Sequence, residues 1–185
     1  MGRCVRLAGA LPSYARIAWW GLVSPRRERA PLIVLQAVIA GERGVVLAMR
    51  AELRGWELPG GAALPGESGE AALRREVREE TGLDVEVLAH VGDYCRSGFR
   101  PHTARVYRCR AVGGALRPSP ESPAVAWFDP IALPHTLFPW YRGPLADALA
   151  ELPEPVVVNE HQGWRHVVAG LAIDLASRWC GFEAT

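Results

Sequence analysis

The segment from Gly61 to Leu83 constrains the fold more than any other part of the chain. A glycine pair and Glu67 are followed by the run Arg75-Glu76-Val77-Arg78-Glu79-Glu80-Thr81-Gly82-Leu83. Ser68 is a good helix N-cap and Gly82 a good C-terminal stop, and mostly good helix formers lie between them. The sequence therefore predicts a glycine turn that leads directly into a helix of about thirteen residues.

The charges on this helix are segregated by face. At about 100° per residue, Glu76, Glu79 and Glu80 share an arc of about 100°. Arg75 lies on one flank of that arc, where it can pair with Glu67 and fix the preceding loop. Like charges at this spacing cost roughly 0.2–0.5 kcal/mol per pair, so an ordinary solvated helix face explains the pattern poorly. Clustered carboxylates suit a hard divalent cation, Mg²⁺ or Mn²⁺.

The run resembles the Nudix box of the Nudix hydrolase family in every signature position, and the preceding Trp56-Glu57-Leu58-Pro59-Gly60-Gly61 is also similar to that family. The resemblance implies an α/β/α sandwich with a mixed β-sheet between helices. It also implies Mg²⁺- or Mn²⁺-dependent hydrolysis of a pyrophosphate bond in a nucleoside diphosphate linked to another group. An ADP-sugar or another small nucleotide is the preferred substrate.

The same resemblance implies roles for individual residues. The expected metal ligands are the Gly61 carbonyl, Glu76, Glu79 and Glu80. The expected catalytic residues are Glu79, Glu80, Glu121 and Arg75, of which Arg75 acts through the loop that Glu67 belongs to. Glu121 occupies the place of a later-loop acid that supplies a ligand or the general base in many relatives, and a solvated loop acid is the equal alternative.

Four arginines are candidate phosphate ligands on the two sides of the box. They are Arg50 and Arg54, near the end of a strand, and Arg96 and Arg100, in a later loop with His102. Each alone is better explained as a surface arginine, but as a set they predict at least one substrate contact. Candidate platforms for base stacking are Trp56, Tyr94, Trp140, Tyr141 and Trp164, although core packing is expected for most of them.

The rest of the chain predicts a single domain. We expect an N-terminal extension over 1–30, with a helix around Tyr14–Trp20, and one Nudix domain over 31–185. The expected strands are Leu32–Ile39, Val45–Met49, Asp84–Tyr94, Thr103–Val112 and Ala124–Asp129, with turns at Gly41–Gly44 and at Gly113-Gly114. The expected later helices are Leu145–Leu152 and Gly163–Trp179. The polar segment 159–166 either caps the last helix through Asn159 or shapes a substrate pocket.

Composition limits the partners. The net charge is +1, so no global field favours a nucleic-acid partner. The longest apolar run, from Leu32 to Ala40, contains Gln36 and is too short to span a membrane. Four scattered cysteines without metal spacing favour a cytoplasmic location. We expect a small-molecule nucleotide as the partner and leave a homodimer open.

Two alternatives share the fold. A nucleotide-sensing module without hydrolytic activity often lacks box carboxylates and carries a DNA-binding segment, whereas this box is complete. An isopentenyl-diphosphate isomerase needs a catalytic cysteine and added histidines before the box, where this chain has only Cys4 and no histidine. The sensor therefore remains the main alternative.

Overall fold

The computed structural model of the chain describes residues 14–15, 32–99 and 101–180. The strands are β1 (Leu32–Gly41), β2 (Gly44–Met49), β3 (Trp56–Glu57), β4 (Leu83–Gly98), β5 (His102–Gly114), β6 (Ala124–Phe128) and β7 (Val156–Gln162). The helices are α1 (Gly69–Thr81), α2 (Arg142–Leu149) and α3 (Trp164–Cys180), and a short 3₁₀ turn at Pro139–Tyr141 precedes α2.

The strands form one mixed sheet in the order β3-β2-β1-β5-β4-β7, and β6 pairs with β2. β1 runs parallel to β5, β5 is antiparallel to β4, and β4 is parallel to β7. The predicted mixed sheet is thereby confirmed, and its parallel pairs require the long connections that the helices and loops provide.

Helices cover both faces of the sheet. On one face, Leu73 and Val77 of α1 are fully buried against strand residues such as Ile39. On the other face, Leu145 of α2 belongs to a second buried cluster, against which Ile173 of α3 also packs. Burial of each such aliphatic side chain contributes roughly 1.5–3 kcal/mol. The predicted α/β/α sandwich is confirmed.

The box helix has the predicted bounds. The Ser68 hydroxyl accepts a hydrogen bond from the Ala71 amide at 3.3 Å. At the other end, Gly82 has a φ of 76°, and its amide donates to the Arg78 carbonyl. Both caps follow from residue types that are visible in the sequence.

Several predicted elements need correction. Asn159 does not cap the last helix, because it lies in β7 opposite Cys95 and the helix begins only at Trp164. Gly113 and Gly114 are not a turn, since they extend β5 and pair with Asp84 and Leu83. Strand pairing, a tertiary contact, overrode the local cap signal in the first place and the local turn signal in the second.

Other boundaries shift by a few residues. β4 continues past Tyr94 to Gly98, because β7 pairs with it up to that residue. α2 spans Arg142–Leu149 rather than Leu145–Leu152, and Pro144 fits in its first turn, where amides lack helical partners anyway. The helix expected around Tyr14–Trp20 lies outside the described residues except at positions 14 and 15, which are helical. None of the helices in the described ranges is long and apolar enough to cross a bilayer.

Candidate active site

The loop before the box is attached to the edge of β1. The Leu35 amide donates to the Gly61 carbonyl and the Ala37 amide to the Pro59 carbonyl, both at 2.8 Å. Gly60 has a φ of 146°, and a Cβ at this position would lie 2.0 Å from the Leu35 carbonyl oxygen. Only glycine fits there, so the glycine pair in the sequence marks a close approach of two backbone segments.

Three carboxylates and the glycine pair lie together here, and we call this group the acidic wall: Glu57, Gly60, Gly61, Glu76 and Glu80. The Gly60 amide donates to Oε2 of Glu80 at 2.8 Å. The Glu76 carboxyl lies so close to Gly61 that a Cβ there would be 2.5 Å from its carbon. Burial raises the pKa of Glu80 to about 8, and the neighbouring carboxylates of Glu57 and Glu76 add to the rise.

Glu57 is a site residue that sequence reasoning missed. Its side chain accepts hydrogen bonds from Arg50 at 3.1 Å and from the Tyr141 hydroxyl at 3.0 Å, and the residue is only 8% exposed. Its negative charge in turn raises the pKa of Arg50. The available signal was an acid between Trp56 and Leu58, because a carboxylate inside a buried apolar run needs partners.

Arg75 connects the loop to the helix. Its guanidinium pairs with both oxygens of Glu67, at 3.0 and 2.9 Å, which confirms the predicted pairing. The same group reaches Glu76 at 2.8 Å and Glu79 at 3.3 Å. Glu67 also accepts from the Leu64 amide at 3.0 Å, and hydrogen bonding by Arg75 holds the pKa of Glu67 below its usual value. One guanidinium therefore contacts three carboxylates and ties the loop to the helix, and the cluster keeps a net negative charge.

A divalent cation fits the acidic wall. Across the described ranges, no three histidine, cysteine or carboxylate side chains converge closely enough to make a complete metal cage. Mg²⁺ does not need one, because it is usually held by one or two carboxylates together with waters and substrate phosphates. The donors present are all hard oxygens, and the charge crowding around Glu80 is of the kind that a cation relieves.

The opposite side of the site is formed by residues of β7 and α3, which we call the C-terminal wall: Gln162, His166, Val167, Gly170 and Leu171. These residues and part of the acidic wall line one cavity of about 270 Å³. Gln36 and Val34 of β1 also line it, as do Phe99 and Trp140. The segment 159–166 thus contributes to a pocket, which was the second of the two interpretations left open by the sequence.

The cavity contains some of the predicted site residues and not others. Gly61, Glu80, Arg50 and Arg96 line it, together with His102. Glu76 adjoins Gly61, whereas the Glu79 side chain is 61% exposed. Arg100 lies outside the described residues. These positions do not test the predicted roles, which stay predictions.

Arg54 and Glu121 lie beside the site rather than in it. The Arg54 amide donates to Asp174 of α3 at 2.8 Å. Glu121 is exposed, and its backbone carbonyl accepts from the Ala51 amide at 2.9 Å, next to Arg50. The loop that carries Glu121 is therefore held one residue away from an arginine of the cavity.

Arg96 is almost completely buried and has protein partners. It donates to Glu160 of β7 at 3.2 Å and to the Trp140 carbonyl at 2.7 Å, and it lies 3.3 Å from Nε2 of His102. Among the candidate stacking residues, Trp56, Tyr94 and Tyr141 are buried, and Trp164 is 71% exposed. Trp140 is half-buried in the cavity lining and stacks on Phe138 with ring centroids 4.8 Å apart.

Comparison with known proteins agrees with this geometry. The model of the NUDIX domain matches residues 31–148. The chain belongs to the Nudix hydrolase family, as its resemblance predicted, and members of this family generally use divalent metal ions and act on small nucleotides.

Individual relatives cover most of the same region. A MutT-like protein from Streptomyces ambofaciens is 40% identical over 75% of this chain and 88% of its own length. Human 8-oxo-dGDP phosphatase NUDT18 is 36% identical over 60% of this chain and 36% of its own length. The crystal structure of an ADP-ribose pyrophosphatase from Streptococcus suis superimposes with a TM-score of 0.60 at 27% identity, covering 71% of this chain and all of the other. The predicted enzyme class, a Nudix pyrophosphohydrolase, is confirmed at the level of the family.

Proposed function

We propose that this protein hydrolyses a pyrophosphate bond in a nucleoside diphosphate linked to another group, with Mg²⁺ or Mn²⁺ as the cofactor. The observation that carries the proposal is the attachment of the Gly60-Gly61 loop to β1. It places Glu76 against Gly61 and holds Glu80 through the Gly60 amide, beside a cavity that Glu57, Glu80 and Arg50 line. A structural role does not require such a concentration of negative charge.

The residues that would hold the cation are Glu76, Glu80 and the Gly61 carbonyl, with Glu79 as a further ligand from the exposed face of α1. A bound divalent cation neutralises phosphate oxygens and activates water for attack on phosphorus. The protein contributes position: Arg75 fixes the loop against α1, and the Gly60 amide orients Glu80. Arg50, held by Glu57, adds positive charge on the cavity lining, where a phosphate oxygen can accept from it.

Substrate contacts from Arg54, Arg96 and Arg100 remain part of the proposal. Glu121 is our candidate for the general base, supported by the contact of its loop with Ala51. If it has that role, Glu121→Gln lowers kcat with little change in KM and removes the acidic limb of the pH–rate profile. An unchanged acidic limb and kcat would return the role to the box glutamates.

The cavity size favours a small substrate. At about 270 Å³ it lies just below the range of about 300–1,000 Å³ that is usual for small-molecule sites. An ADP-sugar and an oxidised guanine nucleotide both fit this class, and relatives named for each kind of substrate support testing both. We also assign the protein to the cytoplasm and treat 31–185 as one domain after an extension over 1–30.

A panel of nucleotides assayed with Mg²⁺ and with Mn²⁺ tests the proposal. It includes ADP-ribose, UDP-sugars, 8-oxo-dGTP, 8-oxo-dGDP and the ordinary triphosphates, and products are separated by chromatography. We expect metal-dependent cleavage of at least one compound between two phosphorus atoms, with none in EDTA. Tight nucleotide binding without cleavage of any compound would instead favour the nucleotide-sensing alternative.

A further inference from the structure

The C-terminal wall lies outside the part of the chain that matches the family. That match ends at residue 148, whereas β7 and α3 span Val156–Gln162 and Trp164–Cys180. Both elements nevertheless belong to the pocket, because β7 pairs with β4 and α3 contributes His166, Val167, Gly170 and Leu171 to the lining. The match to the family at residues 31–148 therefore does not account for this wall, and its contribution to the pocket has to be read from the structure.

Gln36 is a buried polar residue that the fold alone does not explain. It sits in the middle of β1, where Leu35 and Ala37 face α1, so strand alternation turns Gln36 toward the cavity. The residue is only 3% exposed, and its Oε1 has no hydrogen-bond partner in the described part of the protein. A buried acceptor of this kind is normally satisfied, so its place in a cavity lining indicates a ligand that offers a donor.

A second unpaired polar atom lies on the C-terminal wall. Nδ1 of His166 is buried and also lacks a protein partner, and His166 lines the same cavity. Its ring centroid is 6.3 Å from that of Trp140, which is itself stacked on Phe138 with an angle of 8° between the ring planes. The cavity lining therefore combines flat aromatic surfaces with two unsatisfied polar atoms, one from β1 and one from α3.

Trp140 is held firmly in position. Arg96, whose side chain is 1% exposed, donates to the Trp140 carbonyl at 2.7 Å and pairs with Glu160 of β7. A Cβ at Gly170 would lie 3.5 Å from the Trp140 ring, so α3 passes close over that residue. β7 and α3 thus fix the aromatic surface as well as supplying part of the lining.

We propose that β1 and the C-terminal wall form a nucleobase subsite, in which the planar base lies beside Trp140 and an N–H group of the base donates to Oε1 of Gln36. A nucleobase combines the two properties that this part of the lining calls for, a flat π surface and hydrogen-bonding edges. The subsite rests on the proposed function, because the phosphates of the same nucleotide then extend toward Arg50 and the acidic wall. It assigns recognition of the base to residues of this chain that play no part in cleavage.

Equilibrium binding of reaction products tests the subsite without any turnover. Calorimetry is performed with the 5′-monophosphates of adenosine, guanosine, cytidine and uridine, and with ribose 5-phosphate, which lacks only the base. We expect at least one nucleotide to bind the parent protein about tenfold or more tightly than ribose 5-phosphate. Equal affinity for all five compounds overturns the proposal.

Two variants locate the base, and a third is the control. Gln36→Leu removes the acceptor and puts an apolar side chain of similar size in a buried place, so the fold is retained. We expect it to reduce the advantage of the nucleotide over ribose 5-phosphate by about fivefold, and His166→Leu to reduce it as well. Val168→Ala, on the exposed side of α3, leaves that advantage unchanged. Thermal unfolding checks each variant.

The outcomes separate this proposal from the proposed function. If both leucine variants keep the full preference for a nucleotide, the base lies elsewhere, even if the protein is an active hydrolase. If the preference depends on Gln36 but no compound in the nucleotide panel is cleaved, the subsite stands and the hydrolytic function fails.

Discussion

The acidic wall and the C-terminal wall line one cavity but come from different kinds of sequence. The acidic wall is formed mainly by residues 57–80, a short stretch in which a strand, a glycine turn and a helix follow each other directly. The C-terminal wall comes from β7 and α3, about a hundred residues later, and reaches the site only because β7 pairs with β4. The first concentrates charge, and the second is largely apolar with a few polar atoms.

Because the two walls differ in charge, we expect them to affect different kinetic constants. Charged groups that stabilise a transition state act mainly on kcat, whereas contacts that bind substrate and transition state equally act on KM. We therefore expect variants of the acidic wall to change turnover and variants of the C-terminal wall to change affinity. The predictions below test that separation, beginning with the largest expected effect.

Glu80→Gln should lower kcat by about a thousandfold while the fold is retained, because it removes a carboxylate from the proposed site of the metal and phosphates. The matched control is Glu70→Gln on the same helix, since Glu70 is exposed and pairs with Arg74 on the solvent side. Steady-state kinetics and circular dichroism measure both. Activity within about tenfold of the parent would contradict a metal-binding role for Glu80.

The double variant of Glu76 and Glu80 tests whether these two residues bind the same cation. If both carboxylates serve one cation, the double variant is little worse than either single variant. Fully additive losses in kcat would show that the two residues act separately.

Arg75→Ala should lower activity and thermal stability together, because Arg75 joins the loop through Glu67 to the box helix. We expect kcat to fall on the order of tenfold to a hundredfold, the size associated with misplaced catalytic groups. Glu67→Gln should have the same two effects, and Arg74→Ala, which removes only an exposed helix pair, should have neither. Lower activity with an unchanged melting temperature would argue against a positioning role.

Leu171→Ala should raise KM about fivefold and leave kcat near that of the parent, because it removes apolar surface from the C-terminal wall. Val168→Ala, one turn away on the exposed side of α3, is the control. A loss confined to kcat would contradict the expectation that the C-terminal wall acts on KM and the acidic wall on kcat.

The smallest expected effect is on stability, and it concerns an ion pair on β4 and β5, the strands that carry the C-terminal wall. Asp93 of β4 pairs through both oxygens with Arg105 of β5, each at 2.8 Å, and β7 pairs with β4 at the same residue. Arg105 lowers the pKa of Asp93 in the folded protein. The pair therefore stabilises the fold above the ordinary aspartate pKa of about 3.9 and loses its effect as the pH falls through the lowered folded value.

Asp93→Asn should reduce the free energy of unfolding by about 1 kcal/mol at neutral pH, with the difference disappearing in acid. Urea titrations at several pH values measure it. Glu86→Gln, which breaks the more exposed pair with Arg110, should have a smaller effect. A difference that grows as the pH falls would have the wrong sign for this explanation.

The extent to which the sequence predicted the site differs between the two walls. The bounds of α1, its caps and the pairing of Arg75 with Glu67 were all predictable, because each depends on residues close together in the chain. Glu57 was missed, although its place between two apolar residues was a usable signal. Gln36 was noted only as an interruption of an apolar run, and its position in a cavity lining depends on a helix more than a hundred residues away.

By itself the sequence determined the family, the glycine turn, the box helix and the charges on its faces. These features follow from local propensity, capping and helical periodicity, which act over a few residues. Only the tertiary structure decided that 156–162 is a strand, that Gly113 and Gly114 extend β5, and that α3 completes the pocket. The physical reason is that strand pairing and cavity formation join residues far apart in the chain, whose mutual contacts no local pattern encodes.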